Sequence, residues 1–209
     1  MKALVLSAIL LLTGGCTVGE GEGWVRSDRL YIDECWDGAF DLGPDFFAAN
    51  PYRRETLMIR VQRGDNAQEF SDGLSVLVPD LNAVRDRLGE DIPVGLPPGI
   101  DTPVGDAPIM DGGTAPPVSL AVYLHNSCHV RSGTVYSIEG SIRFESLFSG
   151  DPGEADADDR LTDATFDAVF ADPRELAGED GDDPRYRSQV SGAFRFFFQR
   201  GQPAQPFTP

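Results

Sequence analysis

The chain is poor in the residue types on which nucleic-acid binding, metal binding and nucleophilic catalysis depend. Its 209 residues include a single lysine (Lys2), two histidines and three cysteines. Asp and Glu together number 34 against 17 for Lys and Arg, so the formal net charge is −17. Nucleic acid is therefore not an expected partner, because phosphate contacts need clustered cations. Anionic lipid headgroups would repel the same surface.

The chain also lacks an apolar run long enough to span a bilayer, which takes about 20 residues. A shorter run, Ala3 to Leu12, follows Lys2 and is apolar apart from Ser7. The small residues Thr13, Gly14 and Gly15 come next. A positive start, a short apolar run and small residues before a cleavage site are typical of a secretory signal peptide.

The segment Leu12-Thr13-Gly14-Gly15-Cys16 resembles the lipobox of bacterial lipoproteins, although Thr13 stands where that motif usually has leucine. The resemblance implies cleavage after residue 15 and acylation of Cys16, with palmitate or a similar fatty acid. It predicts a signal peptide over 1–15 and a Gly-rich tether over 16–23. The absence of aspartate at position 17 favours the outer membrane over the inner one. The alternative is an ordinary signal peptide with an incidental cysteine.

Once Cys16 is assigned to the lipid, the cysteines Cys35 and Cys128 remain. An even number of cysteines outside the cytoplasm indicates a disulfide. Such a bond would close a loop of more than 90 residues, which the chain-entropy model values at about 4–5 kcal/mol. Two buried free thiols are the alternative.

Apolar residues alternate with polar ones in most of the chain, which is typical of strands with one buried face. The clearest runs are listed by their apolar members: Leu57, Ile59 and Val61; Leu74, Val76 and Val78; Val118, Leu120, Val122 and Leu124; Ile142 and Phe144; Phe166, Ala168 and Phe170; Phe194, Phe196 and Phe198. One short helix is predicted over Leu81 to Leu88, with Asp80 as its N-cap and Gly89 as its end. Asp41 to Pro51 has the composition of a loop.

The stretch from Ile92 to Pro117 differs from its surroundings. It contains seven prolines and five glycines in 26 residues, too many for a regular strand. A connection this long is often functional. We therefore expect a loop over 92–117 in which the apolar residues Ile100, Ile109 and Met110 are candidates for binding a partner. The alternative is a plain connection that packs against the sheet.

These patterns predict an all-β fold with at most one or two short helices. Recurring half-buried strands need a second apolar face, so an antiparallel β-sandwich over 24–201 is expected, with a partly closed β-barrel as the alternative. Residues 202–209 are expected to form a tail, because Pro203, Pro206 and Pro209 prevent central pairing.

The sequence offers weak candidates for metal binding and catalysis. His125 and His129 flank Cys128, but four residues along a strand span about 13 Å, too far for one ion. Carboxylates of a flexible loop can bind calcium. The candidate ligands are Asp151, Glu154, Asp156, Asp158 and Asp159, although they lack the spacing of an EF-hand. No Gly-x-Ser-x-Gly motif or Gly-rich phosphate loop is present.

Three segments of the second half resemble uncharacterised lipoproteins of myxobacteria and their relatives. They are Gly140 to Phe144, Phe166 to Arg174 and Gly192 to Gly201. The resemblance implies a place in the cell envelope and no chemistry. The sequence therefore predicts a lipid-anchored, non-enzymatic envelope protein without a cofactor, with a structural role or an unidentified protein or glycan partner. The alternatives are a hydrolase of envelope polymers and a calcium-stabilised adhesion or carbohydrate-binding module.

Overall fold

The structure is a computed structural model that describes residues 21–52, 55–64, 71–97, 115–128, 133–176 and 183–199. Within these ranges the chain forms ten strands, all paired antiparallel, and this confirms the predicted all-β class. The strands are β1 (Gly21–Ile32), β2 (Trp36–Leu42), β3 (Phe46–Tyr52), β4 (Thr56–Gln62), β5 (Asp72–Val78), β6 (Asp91–Pro93), β7 (Ser119–Leu124), β8 (Thr134–Ser146), β9 (Leu161–Ala171) and β10 (Ser188–Phe197).

The helical elements are short. Helix α1 covers Leu81–Arg85 and helix α2 covers Pro173–Leu176. Single 3-10 turns cover Asp158–Arg160 and Pro184–Tyr186. In the part of the chain that the structure describes, no helix has the length and apolar composition needed to cross a membrane.

The strands form one continuous sheet in the order β2-β1-β10-β9-β8-β7-β5-β4-β3, and β6 pairs with β8 beside this path. The two edge strands, β2 and β3, are consecutive in sequence and only residues 43–45 separate them. Such a short connection brings the two edges close together, so the sheet must curl. The result is a half-barrel whose own opposite walls cover each other. Of the two predicted arrangements, the partly closed barrel therefore describes this sheet.

The core lies inside the curl and follows the predicted period of two. In β4, for example, Leu57, Ile59 and Val61 are fully buried, whereas the residues between them are half-buried. Aromatic rings join the opposite walls, and Phe47 of β3 stacks on Phe196 of β10 with ring centroids 5.7 Å apart. Burial of several such rings supplies much of the free energy that stabilises a domain of this size.

The first strand begins before the predicted end of the tether. Gly21, Glu22 and Gly23 pair with Phe196, Arg195 and Phe194 of β10. A Cβ atom added to Gly21 would lie 2.7 Å from the Cβ of Phe196. The glycine is thus needed for close packing, and the expectation of a flexible tether through residue 23 is wrong for these three residues.

The segment expected to be a loop between Asp41 and Pro51 contains a strand. Phe46 to Tyr52 form β3, which pairs along its whole length with β4. Pro51 is compatible with this assignment because β3 is an edge strand, where one side needs no backbone donor. Phe46 and Phe47 are both buried.

The Pro/Gly-rich stretch is part of the sheet at both of its ends. Ile92 is fully buried in β6 and pairs with Ile142 of β8, so the loop starts later than predicted. Val94 then forms a parallel bridge with Val118, and the N–H of Gly95 donates to the carbonyl of Val118 at 3.2 Å. These contacts hold the two ends of the stretch side by side.

Helix α1 starts where the sequence predicts but ends earlier. The carboxylate of Asp80 accepts a hydrogen bond from the N–H of Ala83 at 3.0 Å, which makes it the N-cap. The helix stops at Arg85 instead of Leu88. The N–H of Gly89 donates to the carbonyl of Phe144 in β8 at 2.8 Å, which draws the chain out of the helix and into the sheet.

The sheet has two distinct ends. The tether end contains Gly21, the β3–β4 turn next to Tyr52, helix α1 and the final residues of β10. Contacts connect these elements: Leu81 N–H donates to the Glu55 carbonyl at 2.7 Å, Arg85 Nη1 to the Leu147 carbonyl at 2.6 Å, and Phe198 N–H to the Arg160 carbonyl at 2.8 Å. The disulfide end contains Cys35, Cys128 and the turn Pro184–Tyr186.

Candidate functional site

Cys35 and Cys128 form a disulfide in the structure, as the sequence predicts. Their Cα atoms are 5.4 Å apart, which lies within the range of disulfide-bonded pairs. Cys35 ends the turn between β1 and β2, and Cys128 follows β7. The bond therefore joins two parts of the curled sheet that are 93 residues apart in sequence.

A surface of aromatic rings and guanidinium groups lies next to this bond. We name it the Tyr–Arg surface and define it by the outward side chains of β1 and of the 3-10 turn before β10. Its members are Trp24, Arg26, Arg29, Tyr31, Arg185 and Tyr186.

Contacts between rings and cations organise the Tyr–Arg surface. The guanidinium carbon of Arg26 lies 5.2 Å from the ring centroid of Trp24, and that of Arg29 lies 5.5 Å from Tyr31. The rings of Tyr31 and Tyr186 meet edge to face with centroids 5.6 Å apart. Cation–π contacts at exposed sites contribute about 0.5–1 kcal/mol each. Together, the cation–π and ring–ring contacts hold the side chains of the Tyr–Arg surface in defined positions.

Carboxylates fix the arginines from the other side. Arg29 donates from Nε and Nη2 to the two carboxylate oxygens of Asp37, at 2.7 and 3.2 Å. This hydrogen bond raises the pKa of Arg29 above its ordinary value. Arg26 pairs with Asp41 at 3.3 Å, and Arg185 pairs with Asp183 at 3.0 Å. The surface is thus balanced in charge within a strongly acidic chain.

A β-bulge places the members of β1 on the same face. The pairing of β1 with β2 shifts between Ser27 and Leu30. Arg29 and Tyr31 therefore continue the outward row that begins with Trp24 and Arg26, although the spacing changes. Arg29 also donates to the backbone carbonyl of Arg185 at 3.2 Å, which fastens the 3-10 turn to β1.

An ion pair between buried Asp172 and the exposed side chain of Arg174 lies near the same end. The carboxylate of Asp172 is almost fully buried and accepts hydrogen bonds from the backbone N–H and the Nε of Arg174, at 2.9 and 3.0 Å. This pairing raises the pKa of Arg174. Burial raises the pKa of the nearby Tyr136.

His125 is not part of a metal-ligand cluster in the portion of the chain that the structure describes. Among the residues described, no three His, Cys, Asp or Glu side chains are grouped as metal ligands. His125 lies against Tyr123, with ring centroids 5.0 Å apart. Burial and the nearby Arg60 lower the pKa of His125. His129 lies outside the described residues.

Four of the acidic candidates for calcium binding accept hydrogen bonds or form an ion pair. Asp151 accepts from Gly153 N–H at 2.8 Å, and Asp156 accepts from Asp158 N–H at 3.0 Å. Glu154 accepts from the hydroxyl of Ser149 at 3.0 Å, and Asp159 pairs with Arg85 at 2.6 Å. These bonds direct the carboxylates toward backbone N–H groups and one arginine, and the side chains do not converge on a common point.

The loop candidates Ile100, Ile109 and Met110, and the lipidation candidate Cys16, also lie outside the described residues. Sequence reasoning missed the Tyr–Arg surface. The alternation of Trp24 with Arg26 would have indicated two outward residues. It could not have indicated Tyr186, which reaches Tyr31 only because β10 pairs with β1.

The chain matches no family model, no curated protein and no solved structure. The geometry of its surfaces is therefore the basis for a functional proposal.

Proposed function

We propose that the protein is a lipid-anchored, non-enzymatic component of a bacterial cell envelope that binds a partner through the Tyr–Arg surface. Acylation of Cys16 would hold the chain at the membrane, with the outer membrane favoured over the inner one. The rigid sheet would then present the disulfide end to a partner.

The composition of the Tyr–Arg surface carries this proposal. Tyr, Trp and Arg dominate the residues whose truncation most weakens protein interfaces. Here three aromatic rings and three guanidinium groups lie along β1 and the turn before β10 in two contacting groups, and carboxylates hold the guanidinium groups in place. One group is Trp24 with Arg26, and the other consists of Arg29, Tyr31, Arg185 and Tyr186. Side chains that are already ordered lose less entropy on binding. Because each arginine is paired with a carboxylate, the patch suits a partner without a large negative charge.

A protein partner is the main form of the proposal, because Tyr and Arg are enriched at protein interfaces. A glycan is the second partner that we propose. The exposed ring of Trp24 supports it, because sugar rings can stack on aromatic faces. A calcium-stabilised binding module remains a separate hypothesis, which predicts that removal of calcium lowers the melting temperature. A hydrolase remains the enzymatic alternative.

The anchor is tested by the variant Cys16→Ala. We expect this change to abolish fatty-acid labelling and to move the protein from membranes to the soluble exported fraction. Thr17→Ala is the matched control, because it changes the residue next to Cys16 and keeps both the acylation site and the disulfide cysteines. Unchanged labelling of Cys16→Ala would show that the lipid is attached elsewhere or absent.

The binding surface is tested by comparing three variants after cross-linking in intact envelopes. Tyr31→Ala combined with Tyr186→Ala should lose the cross-linked partner while the protein keeps a cooperative melting transition. Tyr52→Ala is the control, because it truncates an exposed tyrosine at the tether end. A third variant replaces residues 99–114, which include Ile100, Ile109 and Met110, with a short Gly/Ser linker. If only this last variant loses the partner, the Pro/Gly-rich loop is the binding site and the Tyr–Arg surface is not.

A further inference from the structure

Exposed apolar side chains are concentrated at the tether end. Among the residues that the structure describes, four large hydrophobic side chains are exposed: Trp24, Tyr52, Leu88 and Phe197. Three of them lie at the tether end of the sheet, where Gly21 also lies. Phe197 ends β10 next to Gly21, Tyr52 ends β3, and Leu88 follows helix α1. They are exposed by 40%, 57% and 40%, respectively.

The length of the connection to Cys16 limits how far this end can lie from a membrane. Four residues lie between Cys16 and Gly21, the first residue of β1, so five Cα–Cα steps join the two. An extended chain spans at most about 3.6 Å per residue, so Gly21 would lie within about 18 Å of the acylated cysteine. Because the sheet is attached so close to the bilayer, the side chains exposed at its tether end would contact the headgroup region.

We propose that the tether end of the sheet rests on the bilayer surface, with Tyr52, Leu88 and Phe197 in contact with the headgroup region. This inference depends on the proposed lipid anchor at Cys16. Tyrosine favours the membrane–water interface, where its ring is partly desolvated and its hydroxyl stays hydrated, as Tyr52 would be. Phe197 and Leu88 would bury apolar surface at the boundary between headgroups and acyl chains. The anchor keeps these side chains at a high effective concentration near the lipid, so weak contacts suffice. In this orientation Arg29, Tyr31 and Tyr186 of the Tyr–Arg surface lie at the end away from the membrane, whereas Trp24 lies three residues from Gly21.

The negative charge at the tether end favours zwitterionic over anionic lipid. The acidic turn that contains Asp151, Glu154, Asp156 and Asp158 precedes β9 and lies at the same end, because Phe198 N–H bonds the Arg160 carbonyl. Its carboxylates would be repelled by anionic headgroups. The partner surface is therefore a bilayer of zwitterionic lipid such as phosphatidylcholine or phosphatidylethanolamine.

The test supplies the anchor chemically. The chain from Cys16 onward is coupled through the Cys16 thiol to a maleimide-bearing lipid in phosphatidylcholine vesicles, while Cys35 and Cys128 are protected by their disulfide. Phe197→Trp and Leu88→Trp report on the tether end. Arg187→Trp, at an exposed residue of the disulfide end, is the control. The native tryptophans Trp24 and Trp36 also fluoresce, so the signal of the parent protein is measured under the same conditions and subtracted.

Lipid with brominated acyl chains quenches tryptophan on contact. We expect loss of the added fluorescence for Phe197→Trp and Leu88→Trp, no loss for Arg187→Trp, and weaker quenching when phosphatidylglycerol is added. Equal quenching at both ends, or none at the tether end, would overturn the proposed orientation. Two tether-end positions are used so that a folding defect in one variant does not decide the result. The mass of the amino-terminal peptide from envelopes separately reports acylation, so failure of the anchor and failure of the orientation are distinguishable.

Discussion

The carboxylate of Asp72 holds Ser127 through two hydrogen bonds, one from its backbone N–H at 3.0 Å and one from its hydroxyl at 2.6 Å. It also accepts from the backbone N–H of Asn126 at 3.1 Å. Asp72 begins β5 and is largely buried, whereas Ser127 directly precedes Cys128. The three bonds fix the turn that brings Cys128 to Cys35, so Asp72 is a positioning residue for the disulfide.

Asp72→Ala should therefore weaken both the fold and the disulfide. Hydrogen bonds to a charged group contribute about 1.5–3 kcal/mol each, and partly buried N–H groups would lose their acceptor. We expect a lower urea midpoint and slower re-formation of the disulfide after reduction. Ser127→Ala, which removes only the hydroxyl donor, should show a smaller effect on both. An unchanged rate of disulfide formation in Asp72→Ala would contradict the positioning role.

Loss of the disulfide should lower stability by an amount set largely by the long loop it closes. The two cysteines are 93 residues apart, and the chain-entropy model gives about 4–5 kcal/mol for such a loop. The double variant Cys35→Ser and Cys128→Ser should therefore unfold at a much lower urea concentration than the oxidised protein. Peptide mapping without reduction should find the two cysteine peptides joined. Two freely alkylated thiols in protein from the envelope would contradict the bond.

Phe196 and Phe197 are adjacent in β10 but lie on opposite faces of the sheet, so their truncations can be compared directly. Phe196 is 1% exposed and stacks on Phe47, whereas Phe197 points outward. Phe196→Ala should cost about 3–5 kcal/mol, as truncation of a buried phenylalanine does. Phe197→Ala should change stability by less than about 0.5 kcal/mol, as most surface substitutions do. Equal effects in urea unfolding would show that the two side chains are not on opposite faces.

The sequence predicted those features that depend on local periodicity. The alternation within β10 predicts the burial of Phe194 and Phe196, and the residues before α1 predict the cap at Asp80. The pairing of Cys35 with Cys128 follows because an even number of cysteines remains after Cys16 is assigned to the lipid. The strand β3 could not be predicted in this way. Its run Phe46-Phe47-Ala48-Ala49 does not alternate, and only its position at the sheet edge makes Pro51 compatible with pairing.

The curl and the candidate surface depend on which strands pair, and a single sequence does not encode this in any short pattern. The edges β2 and β3 are neighbours in sequence yet lie at opposite ends of the sheet order. Tyr186 contacts Tyr31 only because β10 lies next to β1, more than 150 residues away in the chain. Composition likewise does not show where a carboxylate points: in the acidic turn, Asp151 and Asp156 accept hydrogen bonds from backbone N–H groups of the same turn.

Tyr123 should make the protein sensitive to alkaline pH. Its hydroxyl donates to the Oε1 of the fully buried Gln62 at 2.9 Å, and burial raises the pKa of Tyr123 to about 12. The ordinary pKa of tyrosine is about 10, so the folded state holds this proton more tightly than the unfolded state does. The resulting stabilisation is complete below pH 10 and is lost as the pH rises through 12.

Two pKa units correspond to about 3 kcal/mol, so the free energy of unfolding should fall by roughly that amount between pH 10 and 12. Tyr123→Phe should remove this component of the slope, and below pH 10 its loss of the Gln62 hydrogen bond should lower stability by a constant amount. Tyr52→Phe is the matched control, because it removes the hydroxyl of an exposed tyrosine. Urea unfolding at a series of pH values from 8 to 11.5 measures each slope. If the slope of Tyr123→Phe matches that of the parent protein, another group is responsible for the alkaline loss of stability.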